Sequence, residues 1–433
     1  MSARKLLLLA AVLAAGVAGC GGGDDDDAGS GSGAATGEKV TITFWHGQNQ
    51  SAGEAINALV DKFNASQDRI TVDSQIGAPA DGLLEKTTAA LAGGKYPDVV
   101  YQFGPNIANL ARSPKALDLT DAVKDPEWNW EDFFPAARDA VTVEGRIRAV
   151  PALIDSMAVV YNKKLFRAAG IDPPKAGWTW DDYREIARQL TDAGAGRFGT
   201  GWPGVGDEDT TWRLWPLVWG AGGDVLAEGG EEVGYGGEPG LRALDVVNQM
   251  AQEDKSVYVD KTVGSEKMYQ VLMNGRMGMV PTGPWQLPDI IDAKLDYGVA
   301  PMPTFGGEEV TISGPDAWML FDNGDARSQA AIEFVRWLTQ PEQDATWDVE
   351  AGSLPLRAST AEQAVWQDHV KEIEGLQTFV DVLEDARVRP TIESYPQVSE
   401  AVGQAVAGVL LGQKSPAEAL DGAVSGGNEA LQE

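Results

Sequence analysis

Several tryptophan and carboxylate side chains of this sequence lie where they could hold a polar ring. The aromatic candidates are Trp45, Trp202, Trp212, Trp285 and Trp318. The acidic candidates are Asp155, Glu208 and Asp209. A sugar ring has an apolar C–H face that an aromatic ring covers, and a rim of hydroxyl groups that carboxylates satisfy. This mixture of residue types suits a cleft for a sugar-like solute. The alternative for each single tryptophan is packing in the core.

Asp155 is the most informative of these residues, because it lies alone between two apolar runs, Val150–Ile154 and Ala158–Tyr161. A carboxylate in such a setting is costly unless a polar partner meets it. The partner is a ligand in a cleft or, alternatively, the backbone at a hinge or at the start of a helix. Pro151 biases the first run towards an extended conformation. We therefore expect a segment that crosses between two parts of the fold.

The same carboxylates leave an enzyme as an alternative. Asp155 with Glu208 or Asp209 could form the two acidic groups of a glycosidase, but the sequence does not fix their separation. The only histidines, His46 and His369, are far apart in the chain, so neither a catalytic triad nor a metal site is expected. We predict a binding protein with no catalytic residue, no cofactor and no metal.

A charged solute is the second alternative. A phosphorylated ligand such as glycerol 3-phosphate would need arginine or helix N-termini in the cleft, and Arg276 and Arg357 are the candidates. A polyamine would need several carboxylates beside aromatic rings, which this chain also contains. These ligand classes are distinguished by the number of cleft carboxylates that do not accept a hydrogen bond from a hydroxyl group of the ligand.

The N-terminal part of the body alternates strand-type and helix-type patterns. Strands are predicted at Lys39–Phe44, Ile70–Gln75 and Asp98–Tyr101, with an amphipathic helix in each interval. This order is typical of a doubly wound α/β lobe. Ligands of such lobes lie beyond the carboxyl ends of the strands, which is where Trp45 falls.

The N-terminus carries a targeting signal, residues 1–19. A basic start precedes an apolar run, Leu6–Val17, that is too short for a comfortable membrane span. Cys20 follows, the single cysteine of the 433 residues, in an arrangement that resembles the bacterial lipobox. Residues 20–38 are rich in Gly, Asp and Ser and predict a flexible tether. We expect Cys20 to be lipidated and to hold the protein at the extracytoplasmic face of the cell membrane.

Composition limits the partners of this chain. The net charge of −31 disfavours binding of nucleic acid or of anionic membrane surfaces. A hydrophobic content of 43% suits a large core and more than one lobe. A single cysteine excludes an intramolecular disulfide.

Ten segments spread over the chain carry a resemblance to a known family. They are ITFWHG (42–47), YPDVVYQFG (96–104), AVPALIDSMAVVYNKKLF (149–166), WTWDDYREIARQLT (178–191), WPLVWGAGGDVL (215–226), NGRMGMVPTGPWQLPDI (274–290), YGVAPMPTFGG (297–307), AIEFVRWLTQPEQ (331–343), GSLPLR (352–357) and SPAEALDGA (415–423). Each alone is weak, but together and in this order they resemble the family 1 extracellular solute-binding proteins of ABC importers, the group that includes maltose-binding protein.

The resemblance implies an α/β fold of two doubly wound lobes joined by crossing strands, which is the type II periplasmic-binding-protein-like fold. We expect one lobe at residues 39–149 with 302–354, and the other at 150–301 with 355–433. The lobes close by hinge motion around the solute. The implied function is capture of a sugar, of di- or oligosaccharide size, for delivery to the permease subunits in the membrane. A monomer is expected.

The resemblance also implies roles for single residues. Asp155 falls where an acidic residue just past the first crossing binds sugar hydroxyls, and Trp285 falls where an aromatic ring stacks on a sugar. Trp212 falls near another such aromatic. Trp45 or His46, at the end of the first strand, corresponds to a residue that lines the cleft in many members.

Five further residues complete the predicted ligand-binding set. Trp318 follows a glycine turn where members often place a cleft residue. Tyr395 is the aromatic residue nearest to the position where the maltose-type proteins carry a tryptophan. Trp202 and Asp209 lie in or beside a Gly/Asp-rich loop, and Arg357 would serve a charged ligand.

Overall fold

The computed structural model describes residues 39–48, 50–383 and 386–432. The chain from Lys39 onward forms one compact unit. The predicted signal segment, Cys20 and the tether lie outside the described residues. Within the described ranges, every helix is too short or too polar to span a membrane.

Fourteen strands are present in the described part of the chain. They are β1 Val40–His46, β2 Ile70–Ile76, β3 Val99–Phe103, β4 Thr142–Val143, β5 Arg146–Ile147, β6 Ala149–Leu153, β7 Ala158–Asn162, β8 Thr200–Pro203, β9 Val257–Asp260, β10 Met279–Thr282, β11 Tyr297–Ala300, β12 Thr311–Ser313, β13 Asp316–Leu320 and β14 Ala386–Val388.

Eighteen α-helices accompany these strands in the same described ranges. They are α1 Gln50–Ser66, α2 Leu83–Ala92, α3 Asn106–Ala111, α4 Pro135–Ala140, α5 Lys163–Ala169, α6 Trp180–Leu190, α7 Glu208–Trp212, α8 Trp215–Gly220, α9 Glu238–Asn248, α10 Glu266–Met273, α11 Leu287–Asp292, α12 Asp325–Leu338, α13 Pro341–Ala351, α14 Ala358–Ala361, α15 Ala364–Glu372, α16 Leu376–Asp381, α17 Tyr395–Leu410 and α18 Pro416–Gln432.

The first lobe is built on a five-stranded sheet with the order β2-β1-β3-β13-β6. β1 runs parallel to β2 and β3, whereas β13 is antiparallel to β3 and β6. α1 and α12 pack against this sheet. Ile42, Phe44 and Val100 are fully buried, because a sheet that is covered by helices needs apolar side chains on its inner faces. The alternation of strands and helices predicted for this lobe is confirmed.

The second lobe is built on a second sheet. β10 and β11 flank β7 in antiparallel pairing, and β8 pairs with β9 in parallel. Hydrogen bonds from Gly278 N to Phe198 O (2.9 Å) and from Met279 N to Gly199 O (3.0 Å) join the two groups. The resulting order is β9-β8-β10-β7-β11. The C-terminal helices α17 and α18 pack on α7 and α9 of this lobe.

Three crossing segments connect the lobes and lie side by side. Residues 154–157 lead from β6 to β7, residues 301–315 lead from β11 to β13, and residues 386–394 lead into α17. Met157 N donates to Ile312 O (3.1 Å), Thr311 Oγ1 donates to Met157 O (2.6 Å), and β12 pairs in parallel with β14. The chain thus makes a hydrogen-bonded bundle at the hinge, where any motion between the lobes must be absorbed.

The structure differs from the predicted lobe boundaries in two parts of the chain. Residues 150–153, expected in the second lobe, belong to β6 at the edge of the first sheet. Helices α14 and α15, expected in the second lobe as part of residues 355–433, pack against α13 of the first lobe. α16 contacts α15 and also β11 of the second lobe, so the chain stays with the first lobe at least as far as α15.

Candidate functional site

Each crossing segment contributes side chains to a cavity between the lobes. The first supplies Asp155, the second supplies Gly314 and leads into Asp316, and the third supplies Arg389. We call these four residues the floor. Asp316 lies at a register shift between β13 and β6, and such irregularities redirect side chains at the end of a strand. The hinge and the polar floor of the cavity are therefore one structure.

The cavity has a volume of about 1170 Å³, counting the space that is open to solvent. Both lobes line it. Residues from the first lobe are Gly47, Gln48, Gln50, Ala52, Pro79, Ala80, Tyr101, Phe103, Leu153, Trp347, Ala351, Gly352 and Ser353. Residues from the second lobe are Glu208, Asp209, Trp212, Gly264, Tyr269, Trp285, Gln286 and Asp289.

The two carboxyls of the floor are buried and influence each other. Gly314 N donates to Asp155 Oδ1 (2.7 Å), and the Tyr101 hydroxyl donates to Asp316 Oδ2. Burial, followed by repulsion from Asp316, raises the pKa of Asp155 well above its ordinary value. Burial also raises the pKa of Asp316 to about 7, although Arg389 opposes this shift. The pair therefore retains a proton near neutral pH when no cation approaches it.

Arg389 is buried and forms an ion pair with Glu208. Its Nη1 lies 2.6 Å from Glu208 Oε1, and Glu208 also accepts from the hydroxyls of Tyr395 (3.0 Å) and Ser399. Burial alone would lower the pKa of Arg389, but attraction by Glu208 and other anionic groups outweighs it and raises the pKa. Arg389 is therefore permanently charged, and its charge is committed to Glu208.

An aromatic wall faces the cavity from the second lobe. It consists of Trp212, Tyr269 and Trp285. The rings of Trp212 and Trp285 are 5.5 Å apart at an interplanar angle of 56°. Behind the wall, Arg213 donates to Asp209 and, from Nη2, to the Tyr269 hydroxyl (2.8 Å). These bonds hold the wall in place before any ligand arrives.

Acidic side chains outnumber basic ones in the lining. The carboxylates are Asp155, Glu208, Asp209, Asp289 and Asp316. Arg389 is the one basic side chain among the described residues that line the cavity. No group of three or more His, Cys, Asp or Glu residues within the described ranges is placed to hold a metal ion.

The lobes touch each other at the rim of the cavity. Ser51 Oγ of α1 donates to Asp289 Oδ1 of α11 (2.6 Å). Gly352 ends α13 with φ of 76°, and a Cβ atom there would overlap the carbonyl of Pro284 and lie 2.9 Å from Trp285 Cα. Only glycine permits both this conformation and this approach. The structure is therefore a closed arrangement of the two lobes.

Five of the candidates named from the sequence are brought together around the cavity, and Glu208, the ion-pair partner of Arg389, is one of them. Asp155 lies in the floor, Trp212 and Trp285 form part of the aromatic wall, and Asp209 lies beside the wall. Their contact with a ligand stays a prediction.

Trp45 and His46 do not line the cavity. β1 continues two residues beyond the predicted end and pairs with β2 as far as His46, so both residues belong to the sheet. Trp45 Nε1 donates to Gln75 Oε1 (3.3 Å), and its ring lies under Lys86. His46 is fully buried 5.6 Å from the ring of Phe44, and burial lowers its pKa.

Trp202 and Trp318 are core residues, each 1% exposed. Trp202 Nε1 donates to the carbonyl of Thr210 (3.2 Å) inside the second lobe. Trp318 packs edge-on against Phe44 (5.3 Å) and Tyr101 (5.5 Å). Both tryptophans lie in strands that are buried on both faces. In such strands the sequence alone does not distinguish a tryptophan that packs in the core from one that lines a cleft.

Arg357 and Tyr395 are also away from the lining. Arg357 is 1% exposed, lies 3.5 Å over the ring of Phe133 and donates to the carbonyl of Thr339 (2.7 Å). It therefore fixes the packing of the first lobe and offers nothing to an anionic ligand. Tyr395 is buried behind Glu208, so it reaches the cavity only through that carboxylate.

Several residues of the lining were not predicted from the sequence, among them Tyr101, Tyr269, Asp316, Trp347 and Arg389. Asp316 had a usable signal, since it is a lone carboxylate beside an apolar run, as Asp155 is. Arg389 had no local signal, because its position depends on the pairing of β12 with β14 across a long stretch of chain.

A sequence model of the bacterial extracellular solute-binding proteins matches residues 46–345, which is more than half of the chain. The chain belongs to this family. Like its relatives, it is a solute-binding component of an ABC importer, and it is not an enzyme. The extracellular character of the family agrees with the predicted export of this solute-binding protein.

Relatives of this solute-binding protein cover nearly all of its length. The sn-glycerol-3-phosphate-binding periplasmic protein UgpB of Pectobacterium atrosepticum is 24% identical over 414 residues, which are 90% of this chain and 91% of that protein. The GacH receptor of Streptomyces glaucescens, solved unliganded and with acarbose, has a TM-score of 0.80 and 25% identity, and the match covers 92% of this chain and 99% of the receptor. The cyclic α-maltosyl-1,6-maltose binding protein of Arthrobacter globiformis has a TM-score of 0.71 and 27% identity, over 91% and 100% of the two chains. The predicted two-lobed fold is thus confirmed.

Proposed function

We propose that the solute is a sugar of di- or oligosaccharide size, held between the floor and the aromatic wall. Trp212 and Trp285 carry this proposal, because two indole rings 5.5 Å apart beside carboxylates suit the faces and hydroxyl rims of sugar rings. The acarbose complex of GacH and the maltosyl-maltose ligand of the Arthrobacter relative support the same class.

The lobes close over the sugar by rotation about the three crossing segments. On closure, Ser51 and Asp289 form their hydrogen bond across the rim, and Trp285 is held between the sugar and the backbone at Gly352. Asp155 and Asp209 accept hydrogen bonds from hydroxyl groups of the sugar. The closed form then delivers the sugar to the permease subunits.

The protein acts as a monomer that is attached to the outer face of the cell membrane by a lipid on Cys20. The lipobox-like segment before Cys20 and the polar tether after it support this attachment. Metabolic labelling with a radioactive fatty acid, with Cys20→Ser as the control, tests it. Label retained in the variant would exclude Cys20 as the attachment point.

Glycerol 3-phosphate is the second candidate, because UgpB proteins match 90% of the chain. Arg389 would have to bind the phosphate. It is committed to Glu208, however, and four further carboxylates line the same cavity, so a phosphate dianion would meet net repulsion. We expect weak binding or none.

A thermal-shift screen of the purified protein tests the function. The ligands are mono- and oligosaccharides, glycerol 3-phosphate and polyamines. A ligand at a hundredfold excess over its Kd adds about 2.7 kcal/mol of stability, which is a clear shift in melting temperature. A shift with sugars supports the proposal, whereas shifts only with glycerol 3-phosphate or polyamines would replace the ligand class.

A further inference from the structure

The two carboxyls of the floor have acceptor atoms that no cation satisfies. Asp316 is 5% exposed, and its Oδ1 has no hydrogen-bond partner in the described structure. Asp155 is 7% exposed, and the described residues give its Oδ2 no donor. Neither carboxyl lies within 4 Å of an arginine or lysine nitrogen of the described chain. Buried carboxylates normally have such partners.

Arg389 attracts both carboxyls of this pair but compensates them only in part. It is the only basic side chain that the structure places in the lining, and its ion pair is with Glu208 at 2.6 Å. Asp155, Asp316 and Glu208 therefore share one guanidinium, and an uncompensated negative charge remains on the floor. A ligand that brings a positive charge to this point would restore the balance.

We propose that the sugar carries a protonated amine and that this amine binds between Asp155 and Asp316. The proposal rests on the sugar-binding function and makes its substrate class more specific. Tyr101 and Phe103 line the cavity beside the pair, and aromatic faces attract a cation that lies within about 6 Å of the ring centre. An amino sugar thus finds stacking at the wall and charge at the floor.

The remaining carboxylates of the lining limit the ligand to one amine at this position. Asp209 is paired with Arg213, and Glu208 is paired with Arg389. Asp289 accepts from Ser51 and from the Gln286 side chain at 3.2 Å. Of the lining carboxyls without an ion pair, only Asp155 and Asp316 are buried, whereas Asp289 is partly exposed. An amino sugar with a single charge therefore fits the floor pair.

Isothermal titration of the purified protein with matched pairs of sugars tests the proposal. One pair is acarbose, whose linkage nitrogen is basic, and maltotetraose, its neutral counterpart of equal length. The other is the β-1,4-linked dimer of glucosamine and cellobiose. We expect the amine-bearing member of at least one pair to bind tenfold or more tightly than its neutral partner at pH 7.5.

Two variants localise the effect. Asp155→Asn and Asp316→Asn each remove the negative charge and keep the size, so each should reduce the preference for the amine at least fivefold while binding of the neutral partner changes less. Asp348→Asn is the matched control, because Asp348 is a buried carboxyl of the first lobe that does not line the cavity. It should leave the preference unchanged.

The pH dependence provides a second measurement. The charged groups that face the floor pair are Glu208 and Arg389, with Tyr101 as a further titratable neighbour. At acidic pH the pair is protonated and attracts an amine less, so the affinity for the amino sugar should rise as the pH increases from 5 and should fall again once the amine of the ligand loses its proton. The affinity for the neutral partner should stay flat over the same range.

The outcomes separate this inference from the function beneath it. Equal or tighter binding of the neutral sugars, or a preference that survives both Asn variants, overturns the amine and leaves the sugar-binding proposal intact. If no carbohydrate in the thermal-shift screen or in the titrations binds, the sugar-binding proposal falls and the inference falls with it.

Discussion

The floor and the aromatic wall of the cavity come from different parts of the fold. The floor is assembled from three crossing segments that are distant in sequence, and its four residues include two carboxyls with raised pKa values. The wall comes from one lobe, and its aromatic rings are fixed by bonds within that lobe, such as that from Arg213 to Tyr269. The floor is a charged surface and lies at the hinge. The wall is an apolar surface and lies within the second lobe.

This difference assigns different tasks to the two surfaces. Stacking on Trp212 and Trp285 depends little on which sugar is present, since most sugars have a C–H face. Charge on the floor distinguishes sugars sharply, because an unmatched buried charge is costly. We therefore expect the wall to supply affinity and the floor to supply selectivity and stability of the hinge.

The largest effect is expected from removing the cation of the floor. Arg389→Met leaves Glu208 and Asp316 without compensation, so the free energy of unfolding should fall by roughly 3–5 kcal/mol. The matched control is Arg387→Met, two residues earlier, which breaks an exposed pair with Asp224 and should cost about 0–1 kcal/mol. Urea unfolding measures both. Equal losses in the two variants would mean that the floor is not held together electrostatically.

Removing a ring of the wall should affect binding and not folding. Trp285→Ala should weaken sugar binding by roughly 1–3 kcal/mol, measured by titration, with the melting temperature nearly unchanged because the ring is only partly buried. Trp337→Ala is the control, since Trp337 is a partly buried tryptophan that packs against Phe63 away from the cavity. It should leave affinity unchanged. Full affinity in the Trp285 variant would remove the stacking role.

A second pair of buried carboxyls, Asp344 and Asp348, does not line the cavity and can therefore be compared with the floor pair. Burial raises the pKa of Asp344 to about 7 and, with repulsion from Asp344, that of Asp348 well above its ordinary value. A carboxyl whose pKa is raised in the folded protein stabilises the fold at pH values below its ordinary pKa. This stabilisation is lost as the pH rises through about 7. The free energy of unfolding should therefore fall between pH 5 and pH 8.

Asp348→Asn tests the contribution of this pair. Asparagine imitates the protonated carboxyl, so the variant should be more stable than the original protein at pH 8, where an ionised Asp348 would destabilise the fold. The difference should vanish at pH 4. A ligand should change the pH dependence that comes from Asp155 and Asp316 and leave that of Asp344 alone. Identical pH profiles for variant and original protein would contradict this account.

The smallest effect is expected at the rim. Ser51→Ala removes the hydrogen bond to Asp289 that joins the two lobes at the rim, and should weaken sugar binding by about 0.5–1.5 kcal/mol. Ser66→Ala is the control, because its hydroxyl donates to Phe63 O at the other end of the same helix. Titration with the tightest ligand compares them. Equal affinity in both variants would show that the bond does not contribute to closure.

The sequence predicted the fold well because its signals are local. Strand and helix patterns of the first lobe are confirmed. At the start of α6 the local signal is a capping box, in which Asp182 N donates to Thr179 Oγ1 (3.1 Å). The site was only partly predictable. Asp155 was found because a lone carboxylate between apolar runs is conspicuous, and Trp285 because its motif is short and distinctive.

Residue type alone could not separate the cleft from the core. All five residues of β13 are buried, so no alternation of polar and apolar residues marked the inward position of Trp318. Arg357 satisfies its charge with carbonyls and the ring of Phe133, contacts that only the folded chain brings together. Arg389 reaches the floor through pairing of β12 with β14, a long-range register that no local pattern specifies.

The most direct test of the account is a crystal structure of the protein with its tightest-binding ligand from the thermal-shift screen. We predict a sugar between the lobes, with a ring face against Trp285 or Trp212 and its most polar group within hydrogen-bond distance of Asp155 or Asp316. A ligand bound elsewhere, or one in the cavity that contacts neither the aromatic wall nor the floor, would contradict the account.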